Sequence, residues 1–289
     1  MKKYRVAILG SGNIGTDLLL KMIRSPYLEC VAFVGRSFSS QGMMKANALG
    51  VPCSDRSISY FQSKSSEVDL VFDATSARDH MVHAPILKSL NIRAIDLTPA
   101  RMGPLCVPAV NRDDCLEEMN INMVTCGGQA SIPIAHAIGK TQTGVEYIEV
   151  VSSIASKSAG PATRNNLDEY IDTTERGVLQ FSGSERAKAI LNLNPAIPCI
   201  DMQTTVFAKV ADPDISALVE VLNPVIATIK SYVPGYNVIV GPLVENGRIV
   251  VMVRVRGLGD YLPAYAGNLD IINCAAIAMA EEYAKEAAS

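Results

Sequence analysis

The chain has 289 residues, a formal net charge of −3, and 48% hydrophobic against 19% charged residues. That much apolar material fills one large or two modest domains and excludes a disordered chain. The slight acidic excess cannot neutralise a phosphate backbone, so nucleic acid is not an expected partner, and no apolar run reaches the ~18–20 residues of a membrane helix.

Met1-Lys2-Lys3 passes at once into a strand-like run. A signal peptide would need a longer apolar stretch and a cleavage site, so the cytoplasm is the expected compartment. The cysteines (Cys30, Cys53, Cys106, Cys115, Cys126, Cys199 and Cys274) are odd in number and form no CxxC pair. Neither a disulfide framework nor a metal site is expected.

In chain order, residues 5–9 read as a short apolar strand, 10–15 as a glycine turn and 16–23 as a helix. A strand at 30–34, a helix at 41–49, strands at 70–73 and 93–97 and a helix at 84–90 follow. Such alternation predicts a parallel sheet covered on both faces. A strand at 120–124 is followed by a helix at 127–139. Beyond it the pattern changes to longer strands (146–154, 202–210, 248–256) with helices near 165–177 and 214–230 between them. An Ala-rich helix closes the chain. The expected fold is α/β: an N-terminal Rossmann-like parallel sheet in residues 1–125, and a C-terminal α+β catalytic and dimerisation domain in 126–267. The terminal helix, 268–286, is expected to pack back on the first domain.

Gly10-Ser11-Gly12-Asn13-Ile14-Gly15 is a G-x-G-x-x-G sequence between the first strand and the first helix. In that context the first glycine allows the tight turn, the second lets a pyrophosphate approach the backbone, and the third lets helix and strand pack closely. The helix N-terminus supplies N–H groups to the phosphates. The reading competes with an ordinary strand–helix turn. The second strand ends in Gly35-Arg36-Ser37, with no acid at its tip to bond the ribose of NAD. Arg36 either accepts the 2′-phosphate of NADP, lies over the adenine, or is a solvated surface residue. In Asp73-Ala74-Thr75-Ser76-Ala77, the small residues Thr75 and Ser76 let the nicotinamide half pass close to the backbone, or form a plain turn.

Val124-Thr125-Cys126-Gly127-Gly128-Gln129 places a cysteine between a strand and a helix N-terminus. The helix dipole favours thiolate over thiol, and the two glycines leave room for a substrate and expose N–H groups to an oxyanion. Cys126 is therefore the candidate nucleophile for oxidising an aldehyde through a thioester, with hydride passing to a nicotinamide. His136 lies about 15 Å along a straight helix from Cys126. It is read, with His80 and His83, as having no direct role.

Six stretches in order, Ile8–Leu18, Phe72–Ala77, Ile95–Ala100, Asn122–Ala130, Ser156–Pro161 and Leu262–Ile271, carry a resemblance over nearly the whole chain. The sequence resembles the acylating acetaldehyde dehydrogenases, the partners of 4-hydroxy-2-oxovalerate aldolase in aromatic-hydrocarbon catabolism. The resemblance implies the reaction of a small aldehyde, NAD and coenzyme A to acyl-CoA and NADH, with Cys126 as the acylated residue. It implies cofactor contacts from Ser11 to Ile14 and from the loop of Ser158, Ala159, Gly160, Pro161, Ala162, Thr163, Arg164, Asn165 and Asn166. It also places Asn268 near the nicotinamide, a residue that equally reads as a helix N-cap.

Departures accompany it. The family's Arg-Asp pair, whose carboxylate is thought to activate a thiol, is replaced by Gln203-Thr204. Asp201 stands an odd number of positions away, on the opposite strand face. The segment near 241–248 is shorter, and Arg36 replaces the acidic strand tip. A homo-oligomer is expected. Two alternatives stand beside this reading: a phosphorylating semialdehyde dehydrogenase, and a weakly catalytic subunit serving an aldolase.

Overall fold

A computed structural model describes residues 3–288. They divide into two compact units. One gathers the chain up to Cys106, Asn111–Met123 and everything from Asn273 on. The other gathers Val107–Val110 and Val124–Ile272.

The first unit alternates strand and helix: β1 (Tyr4–Leu9), α1 (Asn13–Ile23), β2 (Leu28–Val34), α2 (Gln41–Ala48), β3 (Cys53–Ser54), α3 (Ser59–Lys64), β4 (Leu70–Asp73), α4 (Ala77–Ser89), β5 (Arg93–Asp96), α5 (Pro108–Cys115) and β6 (Asn120–Asn122). All its strand pairs are parallel, in the order β3-β2-β1-β4-β5-β6. This is the doubly wound dinucleotide-binding order, a Rossmann-like sheet. β1 and β4 bury nearly every side chain, as strands covered on both faces must. Register aligns Leu9 with Val34 and Asp73, Asp73 with Asp96, and Asp96 with Asn122, so the carboxyl ends of these strands finish level.

α4 starts at Ala77, seven residues before the expected helix. The polar run Arg78-Asp79-His80 hides the apolar period, but Ser76 caps the helix by accepting from the Asp79 N–H. α5 breaks at Asn111 (φ −140°, ψ 32°), where the chain passes between units.

The second unit continues with α6 (Cys126–Thr141), β7 (Val145–Ala155), α7 (Pro161–Asn165), α8 (Leu167–Ser182), β8 (Arg186–Asn194), β9 (Met202–Val210), α9 (Ile215–Tyr232), β10 (Tyr236–Glu245), β11 (Arg248–Val255) and the first turns of α10 (Gly267–Glu286). Its sheet is mixed, β10-β11-β9-β7-β8, parallel only between β7 and β8. β8 and β10 lie outside the expected strands: β8 exposes the polar Arg186, Lys188 and Asn192, and β10 is an apolar run interrupted by Gly241-Pro242.

α10 starts at Gly267, so Asn268 sits in its first turn and not at its N-cap. From Asn273 onward the helix returns to the first unit. There Asn273 Nδ2 donates to Asp17 Oδ2 at 2.7 Å, Ser25 Oγ donates to Glu281 at 2.6 Å, and the Tyr283 hydroxyl donates to the Cys115 carbonyl at 2.8 Å. Asp17 in turn pairs with Lys21 at 3.0 Å, both side chains buried.

Candidate active site

The corner from β6 into α6 is built by three residues. Val124 takes a φ of +60°, uncommon for a β-branched residue. Thr125 caps α6 by accepting from the Gly128 N–H at 2.8 Å, and its hydroxyl also meets that of Thr174 on α8 at 2.8 Å. Cys126 follows as the first helical residue, half-buried.

The Tyr170 hydroxyl of α8 lies 3.7 Å from Cys126 Sγ. The backbone N–H groups of Cys126 and Gly127 also act on the sulfur. A Cβ on Gly127 would fall 2.1 Å from the Tyr170 hydroxyl oxygen and 2.9 Å from Ser152 Oγ, so only glycine fits there. Ser152 of β7 bonds the Tyr170 hydroxyl and lies 2.9 Å from Thr204 Oγ1 on β9. Ser152 and Thr204 are buried.

The sequence favours a thiolate at Cys126, and the structure corrects that expectation. Burial pushes the thiol up to about 11, against the pull of the Tyr170 hydroxyl and the two amides. Removal of water from a charged sulfur outweighs the helix terminus. Burial likewise raises Tyr170 well above the usual phenol range, so it stays a neutral hydroxyl. Neither Tyr170 nor Ser152 carries a sequence signal of its own. The run Gly127-Gly128 is the indirect one, marking a close approach.

In the first unit, a Cβ on Gly10 (φ +120°) would strike the Ala74 carbonyl oxygen at 2.5 Å, and one on Gly15 would strike the Gly10 carbonyl oxygen at 1.9 Å. Gly12 is exposed with nothing within 4 Å of such a Cβ, and no side chain caps α1. Ser11 accepts from Ser40 Oγ at 2.9 Å, and Asn13 is exposed while Ile14 is half-buried. The open second glycine and the uncapped helix terminus fit a bound pyrophosphate. Arg36 is exposed beside Ser37 and Ser39, whose hydroxyls lie 2.7 Å apart.

Asp73 closes β4 in a buried cluster. His80 and His83 meet its Oδ2 through Nδ1 at 2.9 and 2.8 Å, and Thr75 donates its N–H and hydroxyl to Oδ1. Burial opposes its charge, but the two histidines hold the carboxyl down at about 2. His80 also faces Asp96 at 3.5 Å, whose buried carboxyl is raised to about 6. Thr75 is thus tied to its own turn, while Ser76 caps α4.

The loop after β7 is held by its own groups. Ser158 donates to the Ala155 carbonyl at 2.8 Å, and Arg164 donates to the carbonyls of Ala159 and Ser156 and to Ser156 Oγ. Gly160 precedes α7, Asn165 is exposed, and Thr163 and Asn166 are half-buried. The side chains of Pro161 and Ala162 fall outside the described residues. Asn268 is buried, and its Oδ1 has no hydrogen-bond partner. His136 bonds the Phe181 carbonyl at 2.9 Å and does not act on the thiol. Asp201 pairs with Arg256 at 3.8 Å. Among the described residues no group of three or more His, Cys, Asp or Glu could hold a metal, and no helix is long and apolar enough to cross a membrane.

Residues 126–263 match the family model "prokaryotic acetaldehyde dehydrogenase, dimerisation", and residues 5–118 match "semialdehyde dehydrogenase, NAD binding domain". An acetaldehyde dehydrogenase of Spirochaeta aurantia is 69% identical over 99% of this chain and 96% of its own length. The chain belongs to the acetaldehyde dehydrogenase family. A second member, from Pectobacterium atrosepticum, is 57% identical over 97% of this chain and 95% of its own. An aspartate semialdehyde dehydrogenase structure from Candida albicans, determined with NADP, superposes with a TM-score of 0.69 at 13% identity, covering 98% of this chain and all of that one. That likeness shows a shared fold. Acetaldehyde dehydrogenase family membership, with the NAD-binding domain match, makes the chain an NAD-dependent oxidoreductase, and the dimerisation match supports a homo-oligomer.

Proposed function

We propose that this chain is a CoA-acylating aldehyde dehydrogenase that converts a short-chain aldehyde, acetaldehyde first, with NAD and coenzyme A into acyl-CoA and NADH. The observation that carries the reading is Cys126 at the N-terminus of α6, with two backbone N–H groups and a phenol hydroxyl around its sulfur. Attack of Sγ on the aldehyde carbonyl gives a hemithioacetal whose oxygen is stabilised by those N–H groups. NAD, when bound, supplies the hydride acceptor that leaves a thioester on Cys126. The thiol of coenzyme A then takes the acyl group and frees the sulfur.

In this reading the first unit is the dinucleotide-binding domain, and residues 126–267 form the catalytic and dimerisation domain. Gly10 to Gly15 hold the pyrophosphate, supported by the open Gly12. The turn of Thr75 and Ser76 and the loop from Ser158 to Asn166 border the cofactor. Asn268, with its unpartnered buried oxygen, meets the nicotinamide carboxamide. Arg36, with Ser37 and Ser39 at the tip of β2, admits the 2′-phosphate of NADP as well. The aldehyde source in the cytoplasm is an aldolase of the 4-hydroxy-2-oxovalerate class, bound as a partner.

Intact mass spectrometry after acetaldehyde and NAD, without coenzyme A, tests the function. An acetyl adduct that maps to Cys126 and is lost on adding coenzyme A is expected. No adduct on the wild-type protein, or an undiminished one in Cys126→Ala, overturns the proposal.

A further inference from the structure

The sulfur of Cys126 faces a row of hydroxyls and no charge. From α8 comes Tyr170, 3.7 Å from Sγ. Behind it stand Ser152 of β7, bonded to the Tyr170 hydroxyl, and Thr204 of β9, with Ser152 Oγ and Thr204 Oγ1 2.9 Å apart. Tyr170, Ser152 and Thr204 are all buried. α6 itself brings only the N–H groups of Cys126 and Gly127. Among the described residues, no carboxylate, ammonium, guanidinium or imidazole from any element packed on α6 acts on the sulfur.

Each hydroxyl has one proton, which it donates in one direction at a time. While Cys126 is a thiol, its S–H donates to the Tyr170 oxygen. Once the sulfur is an anion, it can only accept. Thr204 then donates to Ser152, Ser152 to Tyr170, and Tyr170 to the sulfur. Each bond in such a chain polarises the next, and hydrogen bonds to an ionised acceptor are about twice as strong as neutral ones.

We propose that Tyr170 is a catalytic hydrogen-bond donor to the Cys126 thiolate, with Ser152 and Thr204 as positioning residues that aim and polarise its hydroxyl. The thiol proton passes to water at the exposed side of Cys126, and the three hydroxyls turn without gaining or losing protons. The proposal rests on Cys126 being the nucleophile. It extends that reading by saying what makes the sulfur reactive in a half-buried, uncharged setting.

The test is the pH dependence of Cys126 alkylation by iodoacetamide in the full chain without cofactor, followed by peptide mass mapping so that the other cysteines do not count. Tyr170→Phe keeps the ring and removes the donor. It is expected to slow alkylation of Cys126 about tenfold at pH 8 and to move the pH profile up by about one unit. Thr204→Val, two hydroxyls away, is expected to slow it by about threefold with an unchanged melting temperature, and Thr204→Ser is expected to restore it. An unchanged profile in Tyr170→Phe overturns the proposal. So does a Thr204→Val protein that melts like the wild type and alkylates at the wild-type rate. The acyl adduct on wild-type Cys126 is measured separately. If it forms while Tyr170→Phe leaves the profile unmoved, the hydroxyl chain fails and the function stands. If the profile moves and no adduct forms, the hydroxyls tune the sulfur, but the function fails and the catalytic role of Tyr170 falls with it.

Discussion

A Cβ at Gly127 and the hydroxyl oxygen of Tyr170 would occupy the same space, 2.1 Å apart. The glycine is therefore a condition for the tyrosine's position beside Cys126. Gly127→Ala is expected to cost about 1–3 kcal/mol by overpacking and to displace the phenol. Combining it with Tyr170→Phe should recover part of that cost, because the clashing oxygen is gone. Urea unfolding of both single variants and the double variant measures the coupling. Strict additivity would mean that the two groups do not meet.

Arg36 decides a different property. Arg36→Asp places a carboxylate where the proposed 2′-phosphate lies, and is expected to weaken NADP binding at least about tenfold while leaving NAD binding equal or tighter. Fluorescence titration with NADPH and NADH checks this. Equal loss for both cofactors would place Arg36 over the adenine.

The buried Asp17 carboxylate faces Lys21 at 3.0 Å and accepts from Asn273 at 2.7 Å. Asp17→Asn removes the buried carboxylate from its ion pair with Lys21, and is expected to destabilise the first unit by about 3–5 kcal/mol. Limited proteolysis of α10, read beside urea unfolding, should show the terminal helix released earlier than in the wild type.

The pH dependence of folding should report Asp73. Burial raises its carboxyl and the bonds from His80 and His83 more than reverse that, leaving it at about 2, below the unfolded value of about 3.9. A group depressed on folding stabilises above its unfolded pKa. Its contribution of roughly 2–3 kcal/mol is present above about pH 4 and lost as the pH falls towards 2. The stability gap between wild type and Asp73→Asn should therefore narrow between pH 5 and pH 2.5. A gap that stays constant would show that the carboxylate is not held below its ordinary value.

Much of the first unit is legible in the residues, because β1 and β4 are short, largely buried apolar runs and the glycine turn marks the start of α1. β3 is too short to carry a pattern, and Arg186–Asn194 hides β8 behind polar residues that face outward. Cys126 is legible from its glycines and its place at a helix start. Tyr170 is not, since a tyrosine within an amphipathic helix reads as core until β7 and β9 bring Ser152 and Thr204 up behind it. The acidity of the sulfur is misjudged for a related reason. A helix terminus is visible in a sequence, while the depth at which it is buried is not.

A nucleophile served by neutral hydroxyls has no electrostatic partner for salt to screen. Raising the ionic strength, or reversing charges elsewhere on the molecule, leaves its reactivity where it was. In the proposed arrangement its reactivity follows the burial of the sulfur and the orientation of a few O–H and N–H bonds, all fixed by packing.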